Sequence, residues 1–221
     1  IQTAKKLLPR ILRSNLPWAV KREAFFHLTN NGAYLLMILL SVLMPISMVV
    51  RFHHGLYQTL FLDLPFAITA TLSVCFFYVA TQRELGLSWW RRLKYLPFLM
   101  SLGIGLAVNN AKAVFEALIN YQSGFTRTPK TGVEGRSARA PIKRAYRGSK
   151  TWLPIIELAF GLYFTGALWY AIDAGIFTSV PFLVLFQVGF LYVGMASLIQ
   201  GRVRTAPAQA QSTAQVTSVS A

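Results

Sequence analysis

The stretch Phe125–Lys150, FTRTPKTGVEGRSARAPIKRAYRGSK, decides how this chain is read. It carries eight cations, Arg127, Lys130, Arg136, Arg139, Lys143, Arg144, Arg147 and Lys150, against one acid, Glu134. Long apolar runs flank it on both sides. Short basic loops stay on the cytoplasmic face of a bilayer. With the N-terminus on that face too, the chain before residue 120 crosses an even number of times.

The composition belongs to an integral membrane protein: 54% hydrophobic, 14% aromatic, 13% charged, with a mean hydropathy of +0.47. The net charge of +15 seems at odds with that until the 22 basic residues are placed. Lys5, Lys6, Arg10, Arg13, Lys21 and Arg22 precede the first apolar run, a large group lies between Arg83 and Lys150, and Arg202 and Arg204 follow the last run. Only Arg51 falls elsewhere, so the others can share one face. Charge placed beside bilayer-length runs suits anionic lipid headgroups and argues against nucleic-acid binding. The single cysteine, Cys75, lies in an apolar run with no partner at ligand spacing, and packing is its expected role.

Four segments reach the roughly 20 residues a helix needs to cross hydrocarbon: about 31–50, 60–80, 153–172 and 178–199. They predict an all-α membrane protein of two antiparallel hairpins, 31–80 and 153–199, joined by short outer loops. Phe52, Tyr57, Trp169 and Tyr170 fall near the outer ends, as interfacial aromatics do. A fifth apolar run, 95–108, covers about 21 Å at the helical rise. Beyond it Asn109, Lys112, Glu116 and Asn120 recur at helical spacing, opposite Val114, Phe115 and Leu118. Led in by Trp89, Trp90, Arg91, Arg92 and Lys94, segment 88–120 is expected to lie along the cytoplasmic interface, dipping into the membrane. Residues 1–30 are read as a second interfacial element, broken by Pro9 and Pro17. Segment 121–150 is the basic cytoplasmic loop, and 205–221, uncharged and of low complexity, is expected to be disordered.

The order of these segments, with Phe125-Thr126-Arg127-Thr128-Pro129-Lys130 between the hairpins, resembles the C-terminal half of cellulose-synthase-like processive glycosyltransferases of family 2. The resemblance covers about residues 1 to 200, mostly as pattern. That family has a Phe-x-Val-Thr-x-Lys gating loop that folds over the nucleotide-sugar; Phe125, Thr128 and Lys130 match it, and Arg127 replaces the Val. Ile1-Gln2-Thr3-Ala4 is similar to the segment after the family's Gln-x-x-Arg-Trp acceptor motif, and Asn109-Asn110-Ala111-Lys112-Ala113-Val114 to its interfacial helix. The details are closer to bacterial glucan or mannan synthase-like members than to plant cellulose synthases. The resemblance implies a UDP- or GDP-hexose donor, a growing β-linked polysaccharide passed between the spans, and the bacterial inner membrane with both termini cytoplasmic. It implies substrate-binding roles for Phe125, Arg127, Thr128 and Lys130.

Chemistry bears on that loop independently. A departing diphosphate develops charge, and a hydroxyl with two cations on one loop suits it. A basic Thr-Pro loop is equally an ordinary cytosolic or lipid-facing segment, and it is the surrounding order that favours the gating reading. Glu157 shares a stripe with Phe160 and Phe164 and is a candidate for the mouth of a glycan channel, rings stacking on sugars and the carboxylate accepting from hydroxyls. The alternative is that Glu157 reaches the headgroups or pairs with a loop lysine. Gln187 is read as helix–helix glue; Tyr163, Phe186 and Phe190 as packing or lipid-facing; Asp63 as interfacial; and Gly103 and Gly105 as close-packing positions. His53 and His54 lack a third ligand, and His27 is read as an interfacial side chain.

The family's Asp-x-Asp metal site, Thr-Glu-Asp base and Gln-x-x-Arg-Trp motif have no counterpart in these 221 residues. No cofactor is expected in this chain; Mg2+ or Mn2+ is expected in the absent catalytic domain. The chain therefore reads as the translocation part of a larger inverting transferase, with no catalytic residue of its own and inactive alone. Two other classes remain: a small transporter or channel subunit, and a membrane-anchored scaffold that uses its basic loop to hold lipid or a partner.

Overall fold

The computed structural model describes residues 1–55, 60–121 and 152–202, with 60–67, 70 and 200–202 as backbone only. The regular structure among the described residues is helical: α1 (Gln2–Arg13), α2 (Trp18–Thr29), a 3-10 turn (Asn30–Gly32), α3 (Ala33–His53), α4 (Leu60–Glu84), α5 (Trp89–Leu93), α6 (Leu96–Gly105), α7 (Ala107–Leu118), α8 (Leu153–Asp173) and α9 (Val180–Arg202).

The tightest unit is the antiparallel hairpin of α8 and α9. Its turn follows from one glycine: Gly175 adopts φ +73°, and the Ile176 amide donates back to the Ala171 carbonyl at 2.7 Å, which stops α8. Along the hairpin each helix offers a glycine to a leucine of the other. A Cβ on Gly161 would strike Leu191, and one on Gly194 would come within 3.0 Å of Leu158. Phe164 and Phe190, both fully buried, stack between the helices at 5.9 Å. Polar side chains bind the same seam: the Gln187 amide donates to Thr165 Oγ1 at 2.9 Å, the interhelical glue expected of it. Replacing Gln187 with Leu should cost about 0.6 to 1.7 kcal/mol in detergent unfolding, the range of such bonds between membrane helices. A loss near zero would show that Thr165 finds another partner.

α6 lies against α9, and the contact is made by backbone. A Cβ on Gly105 would meet the Gly189 carbonyl, and one on Gly189 would meet the Ser101 carbonyl and come within 3.1 Å of the Gly105 amide. Ser101 and Gly105 are four residues apart and so share a helical face, and small residues at that spacing let helices approach closely. Gly103, expected to do the same, points into open space. α6 and α7 meet at Leu106 with a 41° bend, and α7 packs on α3. The segment expected to be one interfacial helix is thus three helices, two of them built into the bundle through Leu96, Ile104, Val108, Ala111 and Val114.

α2, the 3-10 turn and α3 form one 36-residue helical stretch. Within it Pro45 lacks the amide that would bond Ser41, and one residue on, the Val42 carbonyl accepts from the Tyr163 hydroxyl of α8 at 2.9 Å. At the far end of the same two helices Phe52 and His53 gather on Tyr170, the His53 ring lying parallel to it. Their opposite ends meet too, since Leu35, Ile38 and Trp152 border one groove on α7. α3 and α8 therefore run in the same direction. The chain leaves α3 at the Tyr170 end and enters α8 at the Trp152 end.

Among the described residues three helical stretches are long and apolar enough to cross a membrane, Trp18–His53, Leu153–Asp173 and Val180–Ile199, and the bent pair Trp89–Gly105 with Ala107–Leu118 makes a fourth if taken as one span. Their outer faces expose Leu36, Leu43, Leu162 and Met195, the kind of contiguous apolar surface that needs lipid or a partner against it. α4, 25 residues long, packs against α5 and exposes Leu72, Phe76 and Phe77.

Pro9 does not break the N-terminal element as expected. α1 runs through it to Arg13, and the break falls at Ser14–Pro17. There the Ser14 hydroxyl donates to the Ile11 carbonyl, and Lys21 reaches back to the Leu12 carbonyl at 2.9 Å, satisfying helix-end acceptors that Pro9 leaves untouched.

Candidate functional site

Phe125, Arg127, Thr128 and Lys130, together with the other cations of the basic loop, lie outside the described residues, as do Tyr57 and the tail 205–221. The structure places the loop's two roots. α7 ends in a left-handed residue, Asn120 at φ 61°, whose turn brings the Tyr121 amide to the Glu116 carbonyl at 2.9 Å. Tyr121 and Trp152, the last described residue before the loop and the first after it, line the same groove of about 540 Å³. Leu35 and Ile38 of α3 and Phe115 of α7 complete its apolar walls, and the Lys112–Glu116 pair, 3.4 Å apart, stands at its edge.

The root at α7 is held from a distance. Lys5 Nζ donates to the carbonyls of Ala117 at 3.2 Å and Leu118 at 2.8 Å, and to Asn120 Oδ1. An ammonium has three protons to give, and all three meet acceptors at the negative end of a helix. Sequence reasoning saw Lys5 only among the cations that precede the first apolar run. No spacing rule could have found its partners, which are backbone carbonyls 112 and 113 residues away. Lys5→Met, which keeps the apolar stem, should lower stability by about 0.3 to 1 kcal/mol, the range for an exposed charge at a helix terminus. Limited proteolysis should then cut faster between residues 121 and 152, and an unchanged cleavage rate would remove Lys5 from any role at the root.

The second candidate cluster lies on α8. Glu157 is 2% exposed, its Oε2 has no hydrogen-bond partner, and its polar neighbour is Ser197 of α9. Phe160 stacks on Phe190 and Phe164 on Phe186, each at 5.0 Å. The ring faces that a channel would offer to sugars are taken up by other rings, and Phe164 is fully buried. The three side chains do share one face, as their spacing predicts, and that face is turned into the seam with α9. Phe186 and Phe190 are packing residues here, while Tyr163 is the tie to α3 that sequence reasoning missed.

His53 Nδ1–H donates to the Val49 carbonyl at 3.0 Å, and the ring stacks with Tyr170; His27 is exposed near the end of α2. Among the described residues no three His, Cys, Asp or Glu side chains gather closely enough to hold a metal ion. Comparison with protein-family models, with curated proteins and with solved structures finds no match to this chain.

Proposed function

We propose that this chain is the membrane-embedded translocation and gating part of a processive β-glycosyltransferase, set in the bacterial inner membrane with both termini cytoplasmic. The observation that carries the reading is the placement of the loop's roots. The hexapeptide Phe125–Lys130 follows Tyr121 by a few residues in sequence, and Tyr121 lines the groove between α3, α7 and Trp152 at the end of a broken apolar helix pair. With both roots on one groove, the proposed gate would close over a cytoplasmic active site and withdraw from it. Thr128 would bond a diphosphate oxygen while Arg127 and Lys130 neutralise the charge that develops as the nucleotide departs. The reading requires a nucleotide-sugar domain with its divalent metal outside these residues, since the acids among the described residues do not converge. The resemblance in segment order and the basic cytoplasmic loop support it equally.

The bent pair suits this role. α6 meets α9 at Gly189, near that helix's midpoint, and α7 returns to the ends of α3 and α8 that bear the basic segments. A half-depth element of this kind is how irregular helices border a polar path in membrane proteins. The path for a glycan is then sought beside α6–α7 rather than through the closed aromatic seam of α8 and α9.

Membranes carrying the whole open reading frame that contains this sequence should incorporate label from a UDP-hexose or a GDP-hexose into polymer. Removal of residues 125–130 should end incorporation while leaving the protein in the membrane. Incorporation that survives the deletion would return the chain to the transporter or scaffold classes.

A further inference from the structure

The cytoplasmic end of the bundle holds a second concavity, of about 580 Å³, lined by Ser88, Arg91, Arg92, Lys94 and Tyr95 at the junction of α4, α5 and α6. Among the described residues none of its three cations takes part in an ion pair. Lys94 sits over the Tyr95 ring at 5.1 Å, and Trp89 stacks on Trp90, which is left largely exposed, a pair of a kind found at headgroup level. One turn beyond Tyr95 on the same face, Phe98 projects outward and meets Tyr192 of α9 edge-on at 5.5 Å, both rings about half exposed. A polar, triply cationic hollow thus opens onto an exposed aromatic track.

We infer that this hollow is a binding site for one anionic phospholipid, its phosphate held by Arg91, Arg92 and Lys94, with Ser88 as a further donor and an acyl chain along Phe98 and Tyr192. Arg pairs with phosphate oxygens through two parallel N–H groups, and basic pockets between helix ends on the cytoplasmic side hold such headgroups. The aromatic track separates this ligand from free phosphate, which has nothing to place there. The site rests on the bilayer placement alone and is independent of the transferase reading.

The test is native mass spectrometry of the full chain extracted from vesicles of equal phosphatidylglycerol and phosphatidylcholine. The intact protein should retain phosphatidylglycerol in preference to phosphatidylcholine. The triple variant R91Q/R92Q/K94Q should retain at least ~tenfold less, each surface cation being worth roughly a fivefold factor. The variant K6Q/R10Q/R13Q, which loses the same charge from α1, should stay within about twofold of the intact protein, as it leaves the hollow untouched. Equal loss in both variants would reduce the site to diffuse surface attraction and overturn it. So would full displacement of the lipid by inorganic phosphate. If the triple variant fails to elute as the intact protein does, R92Q alone gives the reading, with a loss of about fivefold expected. No sugar donor enters the measurement, so its failure and that of the transferase reading are separate results.

Discussion

Gly105→Val is expected to collapse the packing of α6 on α9, whereas Gly103→Val, two residues away, is expected to be neutral. The contrast rests on what a Cβ meets. At Gly105 it would strike the Gly189 carbonyl, and at Gly103 there is nothing within 4 Å. Overpacking a close contact costs about 1 to 3 kcal/mol where side chains can move aside. Here the obstacle is backbone held in a helix, so the loss should reach ~3 kcal/mol or more, near 10 °C in melting temperature for a chain of this size. Gly189→Val should match Gly105→Val, because its Cβ meets the Ser101 carbonyl from the other side. Thermal melting in detergent, followed by size-exclusion elution, separates the cases. Equal melting of the Gly103 and Gly105 variants would mean that α6 does not lie on α9 as described.

The second large effect concerns the loop. On the proposed transferase reading, Arg127→Ala and Lys130→Ala in the whole protein should each lower sugar incorporation by about 10²-fold, the usual loss when one preorganised group facing a developing charge is removed. Lys143→Ala and Arg144→Ala, equal in charge and further along the same loop, should leave incorporation within about twofold, since charges remote from the reacting group lower no barrier. The comparison matters because a loop acting by bulk attraction to lipid would lose alike from each charge removed. A graded, position-independent decline would argue for the scaffold class.

Much of the helical pattern is legible in the sequence because hydropathy and charge change together at the helix ends. The span expected over 153–172 is α8, Leu153–Asp173, and that over 178–199 is α9, Val180–Arg202. Segment 88–120 was harder, since amphipathic spacing reports which face is polar and not what covers the apolar one. Its burial depends on Ser101, Gly105 and Gly189 permitting backbone contact, and a glycine in an apolar run does not reveal which way it faces: Gly105 packs and Gly103 does not. Pro9 misled in the opposite direction, because a proline costs a helix one bond and α1 tolerates that loss. At the candidate site the shared face of Glu157, Phe160 and Phe164 follows from periodicity, but periodicity is silent on the partner, which is α9 and its phenylalanines. Lys5 and Tyr163 were invisible for one common reason: each donates to main-chain carbonyls far along the chain, and every residue type has a carbonyl.

The claim that residues 125–130 close over a nucleotide is tested most directly by protection of a thiol placed among them. In the whole protein carrying Cys75→Ser and Thr128→Cys, with any further cysteines replaced, a membrane-impermeant maleimide should label position 128 in inverted vesicles and not in right-side-out cells. UDP or GDP with Mg2+ should slow that labelling at least ~tenfold, as expected of a loop that orders over its ligand, and AMP should not. Labelling from the outer face, or at a rate unaffected by either diphosphate, would contradict the account.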